Sequence, residues 1–212
     1  QVNAMAGYLQ HLGVAKGEKV LLFMQNSPQF VISYYAILRA DAVVVPVNPM
    51  LKADELAFYI KDAEIRIGFA GQELYEQVQP LLERTSLQEV VVAAYSDYAG
   101  NLPEGMIPPE VKAGRSNLES SGVHIWSKAV AAGMTPGPHT AKPGDLAVLP
   151  YTSGTTGIPK GCMHTHSTVM ANTVGAYHWC SSTANSTHLA TLPLFHVTGM
   201  VHSMHMPIFS GS

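Results

Sequence analysis

Between Leu149 and Gly161 the chain reads LPYTSGTTGIPKG. This short stretch carries four hydroxyl side chains (Thr152, Ser153, Thr155 and Thr156), Gly154 and Gly157, the constraining Pro159 and one ammonium, Lys160. Glycine removes the Cβ that blocks close backbone approach and permits positive φ, so successive N–H groups can converge on an anion. Hydroxyls add neutral donors that swivel, and Lys160 adds a compact positive charge at the far end of the loop. Together these groups suit a phosphate chain. The bland alternative is a Gly/Thr-rich surface turn with a solvated lysine. Such a density of donors directly after a buried-strand signal favours the phosphate reading. The loop is not a Walker A motif, because Lys160 is followed by Gly161 where that motif needs Ser or Thr, so an ordinary P-loop NTPase is disfavoured.

Leu146–Leu149 is a brief apolar run ended by breaker residues, which predicts the buried strand that delivers this loop. Upstream, Val2, Met5, Leu9 and Leu12 recur at helical spacing and end at Gly13. Lys19–Met24 is a compact strand, Ser27-Pro28 is a hydroxyl cap with proline at the first helical position, and Ala42–Val45 is the next strand. That β-α-β unit has a crossover long enough for parallel pairing, and its strands do not alternate, as two-sided burial requires. Asp54–Lys61 is predicted helical, Ile65–Phe69 a strand, Glu73–Glu83 a helix kinked at Pro80, and Val90–Ala93 a strand. The loop at Pro46, Asn48 and Pro49 reads as stiff turn chemistry more than as a functional element. Alternation of this kind predicts an α/β fold, a doubly wound and mostly parallel sheet flanked by helices.

From Tyr95 to Ser121 periodicity disappears, which predicts a long surface excursion. Trp126–Ala132 is a short predicted helix, and Met134–Pro143 a Pro/Gly-rich linker. After the loop, Cys162–His166 is expected to return as an antiparallel strand, Ser167 to cap a helix reaching about Trp179, and Leu189–Leu192 to form a strand. The expected organisation is an α/β subdomain over residues 1–145, then the phosphate loop and the start of a second α/β subdomain over 146–212.

The 212 residues are 47% hydrophobic and 13% charged, with a net charge of −3. That balance excludes disorder and gives no basic footprint for nucleic acid. Phe30–Val47 is apolar but broken by Arg39 and Asp41, so no transmembrane segment is expected. Two cysteines, Cys162 and Cys180, cannot frame a disulfide scaffold and suit a reducing, cytoplasmic setting. No signal peptide is recognised. The chain opens in mid-helix pattern without methionine and stops after a core-like run, which predicts a piece of something longer.

YTSGTTGIPKG closely resembles the signature of the adenylate-forming enzymes, which include acyl- and aryl-CoA synthetases, peptide-synthetase adenylation domains and luciferases. LPLFHVTGM, residues 192–200, resembles a second motif of that family, the segment lining the acyl side of the active site. GEKVLLFMQNSPQF and AVVVPVNPML resemble its amino-terminal part. The resemblance covers nearly the whole chain and is weakest from Tyr95 to Met134. It implies that Thr152, Ser153, Gly154, Thr155, Thr156, Gly157 and Lys160 hold the β- and γ-phosphates of ATP. It also implies Mg²⁺ travelling with the triphosphate, a small-molecule carboxylic acid as substrate, coenzyme A as co-substrate, and a parent chain more than twice as long. A homodimer is compatible with it.

Seven of the ten histidines lie between His164 and His205. His164 with His166 on one strand face, or His202 with His205 on a helix, would invite a metal, but no structural-zinc spacing accompanies them, so no metal site is assigned. His196 lies inside the second motif, where the resemblance makes it the candidate catalytic residue, a neutral imidazole against a carboxylate or acyl-adenylate. A core histidine satisfied by backbone is its bland alternative. Phe195, His196, Val197 and Gly199 would wall the acyl pocket, though such residues are often plain core. The expected function is the amino-terminal portion of an AMP-forming fatty- or aryl-acid CoA ligase, inactive alone. A peptide-synthetase-type adenylation domain is the runner-up, and a non-catalytic nucleotide-binding module the alternative from another class.

Overall fold

The computed structural model describes residues 1–100, 107–118, 120–152 and 157–212. Strands β1 (Lys19–Phe23), β2 (Val43–Pro46), β3 (Ile67–Gly71), β4 (Glu89–Ala93), β5 (Val123–Ile125) and β6 (Leu146–Val148) are parallel neighbours in one sheet. A separate two-stranded hairpin pairs β7 (Tyr151–Thr152) with β8 (Lys160–Gly161). Strand β9 (His164–Thr165) then runs antiparallel to β6 at the edge of the main sheet, whose spatial order is β5-β4-β3-β1-β2-β6-β9. The chain winds outward from β1 in both directions, as the doubly wound expectation requires.

Strand side chains alternate between faces, so each central strand serves two cores. Val20, Leu22, Val44, Phe69 and Val91 pack with α1 (Val2–His11), α2 (Pro28–Arg39) and Trp126 on one side. Leu21, Phe23, Val45, Ala70 and Val92 pack on the other with Leu56 and Ile60 of α3 (Ala53–Asp62). Ser27 Oγ accepts the Phe30 N–H at 3.1 Å and Pro28 occupies the first turn, so α2 begins where the sequence placed it.

Four local expectations need correction. The Glu73–Glu83 helix is instead a 3₁₀ turn at Gln72–Leu74 followed by α4 (Tyr75–Val78) and α5 (Leu81–Arg84). Pro80 lacks the N–H a continuous helix needs, and the ladder breaks there rather than kinking. The strand after the phosphate loop is only β9, because Thr165, not Ser167, caps the following helix by accepting the Thr168 N–H at 3.3 Å. His166 is therefore the first residue of that helix and does not share a strand face with His164. Leu189–Leu192 forms no strand: Leu189 is 84% exposed, and the segment's carbonyls bond to a side chain instead of a ladder.

The excursion after Tyr95 holds a 3₁₀ turn (Tyr95–Tyr98) and α6 (Pro109–Lys112), then β5 and α7 (Trp126–Ala131). Helix α8 (His166–Cys180) packs over β6. The chain closes with α9 (Val197–Gly199), a π-helical turn at Met200–His205 and α10 (Met206–Ser210). Among the described residues no helix is long and apolar enough to cross a membrane.

Candidate functional site

Val148 pairs with Val44 in the sheet, and the Leu149 N–H bonds the Val44 carbonyl at 2.8 Å, so the chain leaves the C-terminal end of β6 directly into the hairpin. Thr152 stands opposite Lys160 across β7 and β8, which puts both side chains on one face of the hairpin. Gly157, between them, has φ of +80°. Ser153, Gly154, Thr155 and Thr156, the rest of the expected phosphate grip, lie outside the described residues.

Thr152 opens onto a cleft of about 400 Å³. Its other walls are Cys162 and His164 after the hairpin, Asn48 and Leu51 after β2, and Phe195, His196 and Val197. The two sequence motifs thus meet at one cavity, although more than 30 residues separate them. The cleft floor is stiffened by Tyr151, whose hydroxyl donates to Asp62 Oδ2 at 2.5 Å while its ring meets Tyr59 edge-on at 4.7 Å between centroids. Burial, then the Asp62 carboxylate, push the Tyr151 hydroxyl well above its usual range, so it stays a donor.

His196 is exposed, unlike a core histidine. It caps α9: Nδ1 accepts the Thr198 N–H at 3.4 Å, which leaves the proton of the neutral ring on Nε2. Phe195 is half-buried against the main core, and Val197 is exposed into the cleft. Gly199 is buried, and a Cβ there would strike the Pro193 carbonyl, so the missing side chain lets the motif fold back on itself.

Asn26 holds the start of the motif. Its Oδ1 accepts the Leu194 N–H at 2.8 Å, and its Nδ2 donates to the Leu192 carbonyl at 2.9 Å and the Ala190 carbonyl at 3.4 Å. These bonds replace the strand pairing the sequence suggested for this segment. A second cavity, of about 560 Å³, lies between α8 and the 197–202 segment, with Val148, Val169, Ala176 and Met200 among its walls. His164 and Val197 line both cavities.

The π-helical turn is fastened to α2 by a directional chain. The Tyr35 hydroxyl donates to His205 Nδ1 at 2.6 Å, His205 Nε2–H donates to the Tyr34 oxygen at 3.2 Å, and the Tyr34 hydroxyl donates to Met200 Sδ at 3.4 Å. Every proton in that chain has an acceptor only if His205 is neutral. Burial pushes its pKa down to about 4, below the ordinary unfolded value of about 6.5. Between those values the unfolded chain binds a proton that the native chain does not, so stability rises with pH across the window. His205 should cost roughly 2 kcal/mol between pH 7 and pH 5. Urea unfolding at both pH values should show a smaller pH dependence for His205→Gln than for the parent chain. Among the described residues no group of three or more His, Cys, Asp or Glu side chains could hold a metal ion.

Residues 1–212 match the family of AMP-binding enzymes over their full extent, and the chain belongs to that family. It is 29% identical to the long-chain-fatty-acid–CoA ligase of Bacillus subtilis, with 98% of this chain aligned to 38% of that protein. It is 30% identical to a long-chain-fatty-acid–CoA ligase of Mycobacterium tuberculosis, over 94% of this chain and 36% of the relative. The crystal structure of a long-chain-fatty-acid-CoA ligase from Archaeoglobus fulgidus superposes with a TM-score of 0.74 at 30% identity, covering 96% of this chain and 36% of that one. The chain therefore spans little more than a third of the length of these relatives.

Proposed function

We propose that this chain supplies the phosphate-gripping and acid-facing part of an ATP-dependent, AMP-forming acyl- or aryl-CoA ligase. The observation that carries the reading is the shared cleft: Thr152, from the hairpin that also bears Lys160, faces the same space as Phe195, His196 and Val197. In the complete enzyme a carboxylate oxygen attacks the α-phosphorus of ATP, the bond to the β-phosphate oxygen breaks, and pyrophosphate leaves. The acyl-AMP then passes its acyl group to the coenzyme A thiol with release of AMP. Charge neutralisation and alignment are what this chemistry asks of the protein.

Here Thr152 and Lys160, with Ser153 to Gly157 between them, hold the β- and γ-phosphates, and Mg²⁺ arrives on the triphosphate. His196 presents Nε2–H toward the acid, and the apolar cavity beside Val197 takes its tail. The fold class and the motif order support this reading, as does the match of nearly the whole chain to fatty-acid–CoA ligases.

The test is acid-dependent exchange of labelled pyrophosphate into ATP, run with a panel of alkyl and aryl acids. The full-length polypeptide carrying this chain should catalyse it, and residues 1–212 alone should not. Exchange by the isolated piece, or none by the full polypeptide with any acid, would overturn the proposal.

A further inference from the structure

The two cavities meet at His164, a titratable side chain that lines both of them, and both are walled mainly by apolar surface. On the cleft side its neighbours are Thr152 and His196, and on the other side Val148, Val169 and Met200. Its position is fixed through the backbone: β9 pairs His164 with Val148. Among the described residues no hydrogen bond reaches the imidazole nitrogens, which face a ligand at the neck where the two cavities join. An apolar pocket orients its ligand through a few well-placed polar groups, and a group at the boundary meets the polar end of an amphipathic ligand.

Resting on the ligase reading above, we propose that His164 is a specificity-determining residue for the acid, receiving the carboxylate at the neck while the tail occupies the 560 Å³ cavity. His196 lines the cleft side only, so the carboxylate held at His164 has a second imidazole available in the same cleft as Thr152 of the phosphate hairpin. An acid anchored in this way is placed by its carboxylate, and its tail contributes affinity without setting the depth of insertion.

The experiment compares the full-length enzyme with its His164→Leu and His164→Gln forms. Pyrophosphate exchange is followed as a function of acid and, separately, of ATP, and ATP binding is measured directly. In His164→Leu the KM for the acid should rise roughly tenfold or more, the size expected when a bond to a charged group is lost. The KM for ATP should stay within about twofold, and His164→Gln, which keeps a donor, should recover part of the acid affinity. A parent enzyme that exchanges normally while both variants keep the parent KM for the acid would overturn this inference and leave the ligase reading standing. Equal losses of affinity for acid and for ATP in both variants would overturn it in the same way. A parent enzyme that binds ATP but exchanges with no acid would overturn the ligase reading, and this inference with it.

Discussion

Exchanging Lys160 for alanine is expected to weaken productive ATP binding by roughly ten- to a hundredfold, the range associated with losing a bond to a charged partner. The reason is positional. Lys160 stands directly across the hairpin from Thr152, and Thr152 faces the cleft, so an ammonium on that face reaches the same space from the opposite strand. The side chain is exposed and takes part in no ion pair among the described residues, so its removal should leave folding almost untouched. Full-length enzyme carrying Lys160→Ala should therefore unfold at the parent's urea midpoint while its KM for ATP climbs. Lys160→Arg should recover only part of the loss, because a planar fork does not replace a compact point charge. An unchanged KM for ATP would remove Lys160 from the phosphate grip.

The second large effect is structural. Phe69→Ala should destabilise the fold by about 3–5 kcal/mol, the usual range for emptying a fully buried aromatic site. Phe69 is 0% exposed and sits on β3, which is hydrogen-bonded on both sides, to β1 and β4. Neither neighbouring strand can move in to refill the space without disturbing the parallel ladder. Since a domain's whole stability is typically about 5–15 kcal/mol, a substantial unfolded fraction should follow. Urea denaturation should show a lower midpoint with an unchanged slope, and a loss under about 1 kcal/mol would mean that the core around β3 can collapse.

The parallel sheet was legible because its signal is local and repeated: short apolar runs without alternation, each followed by a helix with its own cap. Ser27-Pro28 states the start of α2 within two residues. The two motifs were legible because their unusual composition is contiguous in sequence. What escaped was set by contacts between distant residues. Strand β5 is three half-buried residues at the sheet edge. Its start depends on Gly122 at φ +75°, pressed so close to the Gln88 carbonyl that no other residue fits, and nothing in the composition around it announces this.

The Pro46–Leu51 loop read as turn chemistry, and Asn48 Oδ1 does accept the Met50 N–H at 3.0 Å as such a turn would. Only the adjacency of β2 and β6 reveals that the same turn walls the cleft. The Leu189–Leu192 run looked like a strand because its residues are apolar, but no sheet edge is there to receive it. The π-helical turn has no composition signal either, since it arises from the fit of His205 to two tyrosines on α2.

Asn26 ties a residue near the beginning of the chain to the backbone of the 192–200 motif more than 160 positions later. The amide reads main-chain atoms and is indifferent to which side chains the motif displays, so the pocket's lining can diversify while its mounting stays fixed. Exchanging residues 193–199 between relatives as a cassette should accordingly preserve the fold of the segment, provided the recipient keeps an asparagine at the position of Asn26, while His164 and the α8 wall of the cavity stay with the recipient.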